Sequence, residues 1–311
     1  VTLTLAAVVL LAAVLAAPRG SAAQAPAVRP AAAGAFDGER AFRHLRALVE
    51  IGPRPAGSPQ IRQARAYITR ELRALGLTVE EQPFTAETPL GRVEMANLIV
   101  RLPGRRPDRI LFTGHYDTKL FTDQRFVGAS DGGSSAAFLI ELARVLAARP
   151  LEYTAELVWF DGEEAVREWV TGGLDHTYGS RYYVQAAVKA RTLGSIRAMI
   201  LVDMIGDRDL TIRRDSMSTP WLTDLVWAAA GRAGHGRTFV DERTTIDDDH
   251  IPFIEAGVPA VDIIDLDYPA WHTPADDLDR VSARSLQVVG DVILAALPDL
   301  DARLSEGRAG R

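Results

Sequence analysis

Apolar positions recur along this chain in two rhythms, and the rhythms predict an alternation of helices and strands. Phe42, Leu45, Leu48 and Val49 fall at helical spacing and predict a first helix. Gly52-Pro53-Arg54-Pro55 follows, a run that must turn because proline fixes φ and glycine frees it. Ser58 then stands as an N-cap and Pro59 suits a first helical turn. Ile61, Ala64, Ile68, Leu72 and Leu75 line one face, and Gly76 closes this second helix. Beyond it the pattern changes. Residues 95–102, 110–113, 155–160, 198–202 and 258–264 are short apolar segments that read as strands. Residues 136–148, 220–233 and 283–297 have the length and composition of helices packed on a sheet. This alternation predicts an α/β domain with a largely parallel sheet.

Polar residues that carry chemistry fall at the ends of these strands. His115 and Asp117 follow the second, Glu163 and Glu164 the third, Asp203 the fourth and His272 the fifth. In open α/β sheets the ligand crevice lies outside the carboxyl ends of the strands, so these residues are expected to converge. Composition narrows what they can do. The chain has no cysteine, which excludes disulfides and thiolate metal sites and leaves any metal to His, Asp and Glu. A net charge of −6 with scattered Lys and Arg offers no basic stripe, so nucleic acid is not an expected partner.

The N-terminal apolar run ends at Pro18 and is followed by Arg19-Gly20-Ser21-Ala22-Ala23-Gln24, where small residues offer a cleavage site. Residues 1–23 are read as a signal segment, with an uncleaved anchor as the alternative. Export follows as the expected localisation, either secreted or in the periplasm or cell envelope, with no stable membrane partner unless the segment is retained. Residues 24–35 are an Ala- and Pro-rich tether. A single catalytic domain is expected over residues 36–300, with a polar tail over 301–311.

Catalytic zinc requires about three His or carboxylate ligands and an open position. Asp131, Glu164 and His272 would supply that set. Each has an ordinary alternative. Asp131 precedes a helix and could be its N-cap. Glu163-Glu164 could be a solvated turn, although its place after an apolar strand lets one carboxylate bind metal while the other handles protons. Among the remaining histidines, His44 and His235 read as structural, and His176 and His250 are not assigned to metal. Asp247-Asp248-Asp249-His250 would be a solvated loop, except that it leads into a short helix and a buried strand. At least one of its carboxylates therefore faces the site, since a buried unpaired charge is costly.

The segments "GHYDTK", "GASDGGSSA", "WFDGEEA", "LVDMIGD" and "WHTPADDLD" occur in this order, and together they resemble the M28 zinc exopeptidases over about residues 36–297. That resemblance implies a three-layer α/β/α sandwich around a mixed, mostly parallel twisted sheet. In the two-zinc aminopeptidases of the family, the residues matching His115, Asp131, Glu164, Asp203 and His272 hold metal, and the match to Glu163 is the general base. Lys119 in "HYDTK", Trp169 after "DGEEAVRE", Asp248 in "DDDHIPF" and Trp271 before the histidine resemble the glutaminyl cyclase branch. That branch implies cyclisation of N-terminal glutamine of peptides or proteins, with release of ammonia. It also implies one Zn2+ on Asp131, Glu164 and His272. Glu163, Asp203 and Asp248 would then be catalytic, and Trp169 and Trp271 would wall the substrate. Asp247 departs from the branch, standing where a neutral amide is usual. His115 and Asp203 keep a second zinc open, and a two-zinc aminopeptidase is the alternative. A monomer is expected.

Overall fold

A six-stranded sheet forms the centre of the computed structural model, which describes residues 1–2 and 34–309. Residues 3–33, on which most of the expected signal segment and tether fall, lie outside the described residues. In chain order the strands are β1 (Val79–Thr88), β2 (Gly91–Leu102), β3 (Arg106–His115), β4 (Tyr153–Phe160), β5 (Ile196–Asp203), β6 (Ile212–Asp215), β7 (Phe239–Thr244) and β8 (Ala260–Ile264). The main sheet runs β1-β2-β4-β3-β5-β8, antiparallel through β1, β2 and β4 and parallel from β4 to β8. β6 and β7 form a separate parallel pair.

The helices are α1 (Gly38–Ile51), α2 (Pro59–Ala74), α3 (Gly133–Ala147), α4 (Tyr178–Lys189), α5 (Pro220–Arg232), α6 (Ile251–Glu255) and α7 (Ala283–Ala309). Side chains alternate across a strand, so each strand feeds two layers. Ile110 and Phe112 of β3, Leu157 and Trp159 of β4, and Ile200 and Val202 of β5 join one core with α1, α2, α3, α5 and α7. Leu111, Val158, Phe160, Met199 and Leu201 point to the other face, against α4 and α6. The result is the mixed, mostly parallel α/β/α sandwich that the sequence implied.

Both N-terminal helices carry side-chain caps, Ser58 as the sequence suggests and Asp37 besides. Ser58 Oγ accepts from Ile61 N at 3.0 Å and Asp37 accepts from Arg40 N, each such cap contributing about 1 kcal/mol. The last helix is longer than residues 283–297. It passes through Pro298 to Ala309 because Leu300 and Leu304 continue the buried stripe of Ile293 and Ala296, and this burial outweighs the hydrogen bond lost at proline. Residues 301–309 are thus helical. β1 shows no apolar pattern in the sequence because it is an edge strand, burying only Val79, Phe84 and Ala86 among polar neighbours.

The chain leaves β3 for β4 on one side and later enters β5 on the other. Such a reversal opens a crevice at the carboxyl ends of the strands. His115 and Asp203 are the last residues of β3 and β5.

Candidate metal and catalytic site

Asp131 stands between two imidazoles at the floor of this crevice. Its Oδ1 is 3.2 Å from His115 Nε2 and its Oδ2 is 3.3 Å from His272 Nε2. Glu164 Oε1 lies 3.3 Å from the same nitrogen of His272, and Asp203 Oδ1 lies 3.1 Å from that of His115. Two donor sets result, Asp131-Glu164-His272 and His115-Asp131-Asp203, each with ligand atoms within 4.8 Å of one another. Carboxylate oxygens and an imidazole nitrogen converging in a buried pocket are the chemistry of a cation site, and the mixed N/O set suits zinc. The first set fits one ion; the two together, sharing Asp131, fit a pair.

Asp131 is not a helix cap. Gly132 occupies that position in α3 and no side chain caps it. Gly132 has φ +73°, and a Cβ there would lie 2.3 Å from the Asp117 carbonyl oxygen and 2.9 Å from His115 Cε1. Glycine is therefore what brings the loop this close to β3.

Two carboxylates beneath the donors hold their backbone. Asp117 accepts from Glu163 N at 3.2 Å and from Glu164 N at 3.3 Å, and its Oδ1 faces His115 Nδ1 at 3.3 Å. The glutamate turn is thereby tied to the end of β3. Asp276 accepts from Ser130 N at 2.7 Å, from Asp131 N at 3.1 Å and from the Tyr268 hydroxyl at 2.8 Å. Supporting groups of this kind orient metal ligands. Asp117 was expected at the site as a strand-end residue but with no stated role, and Asp276 was not singled out, although both sit inside the quoted segments. Their signal was a second aspartate near each ligand. His272 has φ 54° in the left-handed region and is braced by the edges of Phe121 and Phe126, by a stacked Trp271 and by Gln124, which donates to its carbonyl.

The side chains of the site polarise one another strongly. Burial alone would lower the His272 pKa, but hydrogen bonds to Asp131 and Glu164 push it up to about 10. Burial opposes ionisation of Asp131, yet His115 and His272 hold it well below the usual carboxylate range. Burial and then Asp131 lift Glu164 to about 7. Glu163 is raised well above the ordinary range by burial, with Asp248 and Glu164 adding to it against the pull of His115. Its Oε2 is 3.6 Å from His115 Nδ1, so the two adjacent glutamates do point to different partners. Asp248 is also raised well above its usual value, by burial and then by Asp203. Its Oδ2 is buried with no hydrogen-bond partner among the described residues.

A cavity of about 310 Å³ opens above this floor. It is lined by Asp131, Glu163, Glu164, Asp203, Asp248 and His272 below and by Trp169, Thr171, Asp247, Leu266 and Trp271 around the mouth. Neither tryptophan is core, since Trp271 is 44% exposed and Trp169 is half-buried. Trp169 stacks on His176, with ring centroids 4.0 Å apart, and the Lys119 ammonium donates to the Ala165 carbonyl beside the glutamate turn. The other histidines stay outside the donor sets. His44 Nδ1 is 2.8 Å from the Tyr67 hydroxyl, His235 Nε2 is 3.3 Å from Asp291, and His250 Nε2 is 3.1 Å from Asp215.

Comparison with known proteins agrees with this geometry. Residues 97–297 match peptidase family M28. The chain is 30% identical to the mouse glutaminyl-peptide cyclotransferase-like protein, over 78% of this chain and 70% of that one. It is 31% identical to the glutaminyl-peptide cyclotransferase of Drosophila melanogaster, over 75% and 74%. Among solved structures, a glutaminyl cyclase from an Acidobacteriales bacterium superposes with a TM-score of 0.83 at 41% identity, covering 91% of this chain and all of that one. With the ordered motifs, the fold and the donor sets in agreement, the chain belongs to peptidase family M28, on its glutaminyl-peptide cyclotransferase branch.

Proposed function

We propose that this protein closes N-terminal glutamine of peptides and proteins into pyroglutamate, with Asp131, Glu164 and His272 holding one zinc ion. The observation that carries the reading is the second acid pair beside the donor set, Asp203 with Asp248, whose Oδ2 is buried and unpartnered. Both amide hydrolysis and ammonia expulsion need a proton on the leaving nitrogen, which Glu163 can deliver; what the Asp203-Asp248 pair adds is hydrogen-bonding partners for a γ-carboxamide nitrogen held in the site until it departs.

Bound zinc would supply Lewis acidity toward the γ-carboxamide oxygen. The chain's own residues do the rest. Trp169 and Trp271 wall the glutamine stem and bring its α-amine near its own side-chain carbon, making the attack intramolecular. Glu163, whose buried carboxyl has raised proton affinity, takes a proton from the amine as the N–Cδ bond forms. It returns that proton to the departing nitrogen as the Cδ–NH2 bond breaks, so one ammonia leaves and no water is consumed. Asp203 and Asp248, sharing protons, hydrogen-bond the leaving nitrogen. Every group named comes from one chain, so a monomer suffices.

The second donor set, His115-Asp131-Asp203, favours one competing reading, a two-zinc aminopeptidase. Mass spectrometry separates the two. A Gln-initiated peptide should lose one ammonia and remain otherwise intact, and a Leu-initiated peptide should be untouched. Release of free leucine, with no pyroglutamyl product, would establish the aminopeptidase instead. Export belongs to the same proposal, supported by the apolar run before Pro18. Recovery of the native protein from the cytoplasmic fraction would contradict it.

A further inference from the structure

The mouth of the cavity carries a carboxylate that the reaction does not use. Asp247 lines the cavity with Trp169, Thr171, Leu266 and Trp271, one residue outward along the chain from Asp248. We propose that Asp247 makes the residue after the N-terminal glutamine a specificity position, favouring lysine or arginine there and disfavouring aspartate or glutamate. This inference rests on the cyclase reading of the same cavity. If the floor holds the α-amine and the γ-carboxamide, the rest of the peptide must leave through the mouth and pass Asp247.

Three features make this carboxylate effective. It is anchored: its Oδ2 accepts from Gly172 N at 2.8 Å, and its side chain is only 15% exposed. A charge fixed in a partly enclosed mouth is screened less than one on an open surface. The bond to Gly172 engages Oδ2, so Oδ1 is the oxygen that a ligand would meet. It is also uncompensated within the cavity, because no lysine or arginine lines it among the described residues. Arg181 interacts electrostatically with Asp247, but its guanidinium donates to the carbonyls of Gly173 and Leu174 and does not line the cavity. His176 Nε2 is 3.9 Å from Asp247 Oδ2, yet burial lowers the pKa of this ring, and its Nε2 donates to the Val170 carbonyl. Finally, the rim is amphipathic. Leu266 and Trp271 are 41% and 44% exposed, apolar surface along which the stem of a lysine or arginine lies while its head reaches a carboxylate.

The deeper carboxylates do not duplicate this role. Asp131 and Glu164 are metal donors, and Glu163, Asp203 and Asp248 move protons. Asp247 is the acidic group left at the entrance.

The test compares kcat/KM of the zinc-loaded, full-length protein on three peptides differing only after the glutamine, with Lys, Ala or Glu at that position. The expected order is Lys, then Ala, then Glu, with the Lys-to-Glu ratio about tenfold at low ionic strength and shrinking as salt is added. D247N keeps an oxygen to accept from Gly172, so it should bring the ratio within about twofold while zinc content is unchanged. The wild-type ratio and its salt dependence require no variant, so a misfolded D247N leaves the inference open to refutation. Equal rates on the three peptides, or a ratio that survives D247N, would overturn the inference alone. No pyroglutamyl product from any of them would overturn the functional reading and this inference with it.

Discussion

Asp131 on the floor of the cavity and Asp247 at its rim are both loop aspartates, yet they are held in different ways. Asp131 is 3% exposed, its own N–H and that of Ser130 are taken by Asp276, and its carboxylate lies between the imidazoles of His115 and His272. Asp247 rests on a single N–H, from Gly172. That glycine belongs to the segment between Glu164 and Tyr178, which also carries Trp169 on His176 and leaves Val170 and Leu174 exposed. The floor is fixed by strand ends and buried carboxylates; Asp247 at the rim is tied to one neighbouring loop. Chemistry that needs ligand atoms within tenths of an ångström belongs on the first kind of support, and discrimination that varies with substrate belongs on the second.

Removing a floor donor should have the largest consequence. His272→Ala leaves Asp131 and Glu164 without the imidazole they share, so metal content by elemental analysis should fall to background and turnover with it. Acidity attacks the same donor. The neutral ring is the ligand form, and in the metal-free protein His272 keeps its proton up to about pH 10. Zinc must therefore expel that proton, and affinity should rise with pH, by about a hundredfold from pH 7 to pH 9 if one proton is displaced. Calorimetry in buffers of different ionisation enthalpy would detect the release; pH-independent binding would argue against His272 as a ligand.

Beneath the floor the effect should be smaller. Asp276→Asn keeps the shape but loses one of the two oxygens that hold Ser130 and Asp131. Zinc affinity should fall by about ten- to a hundredfold with the fold intact, measured by competition with a chelator. The rim should respond least, and in a different parameter. His176→Ala removes the ring stacked on Trp169 and should raise KM a few-fold while kcat holds, and His176→Phe should restore most of it by keeping the stack. A fall in kcat with KM unchanged would place His176 in the chemistry and erase the contrast between floor and rim.

The same contrast governs what could be read from the sequence. β3, β4, β5 and β8 were legible because each carries a short, mostly apolar segment, interrupted only by Glu156 in β4 and Asp262 in β8, and the polar residues just beyond such segments are where a parallel sheet places its site. Asp131, Glu164 and His272 converge as the ordered motifs implied. Asp117 was placed at the site by its strand end, but its supporting role and Asp276 altogether escaped because both act by accepting backbone N–H groups, from residues 46 and 146 positions away in two of these contacts. No periodicity records such a pairing. β1, α4, β6 and β7 were also unread. β1 is a mostly polar edge strand, β6 is only four residues long, and β7 buries little beyond Phe239. The end of α7 escaped for a different reason, since Pro298 signals a stop that only the burial of Leu300 and Leu304 overrides.

The central claim is a division of labour between neighbours, Glu164 for the metal and Glu163 for the proton. It is tested most directly by comparing Glu163→Gln with Glu164→Gln, measuring zinc per chain and pyroglutamyl product from one Gln-initiated peptide in the same preparations. Glu163→Gln should keep its zinc and lose about a hundredfold or more in turnover, whereas Glu164→Gln should lose zinc. Near-normal turnover in Glu163→Gln, or loss of zinc from it, would contradict the account.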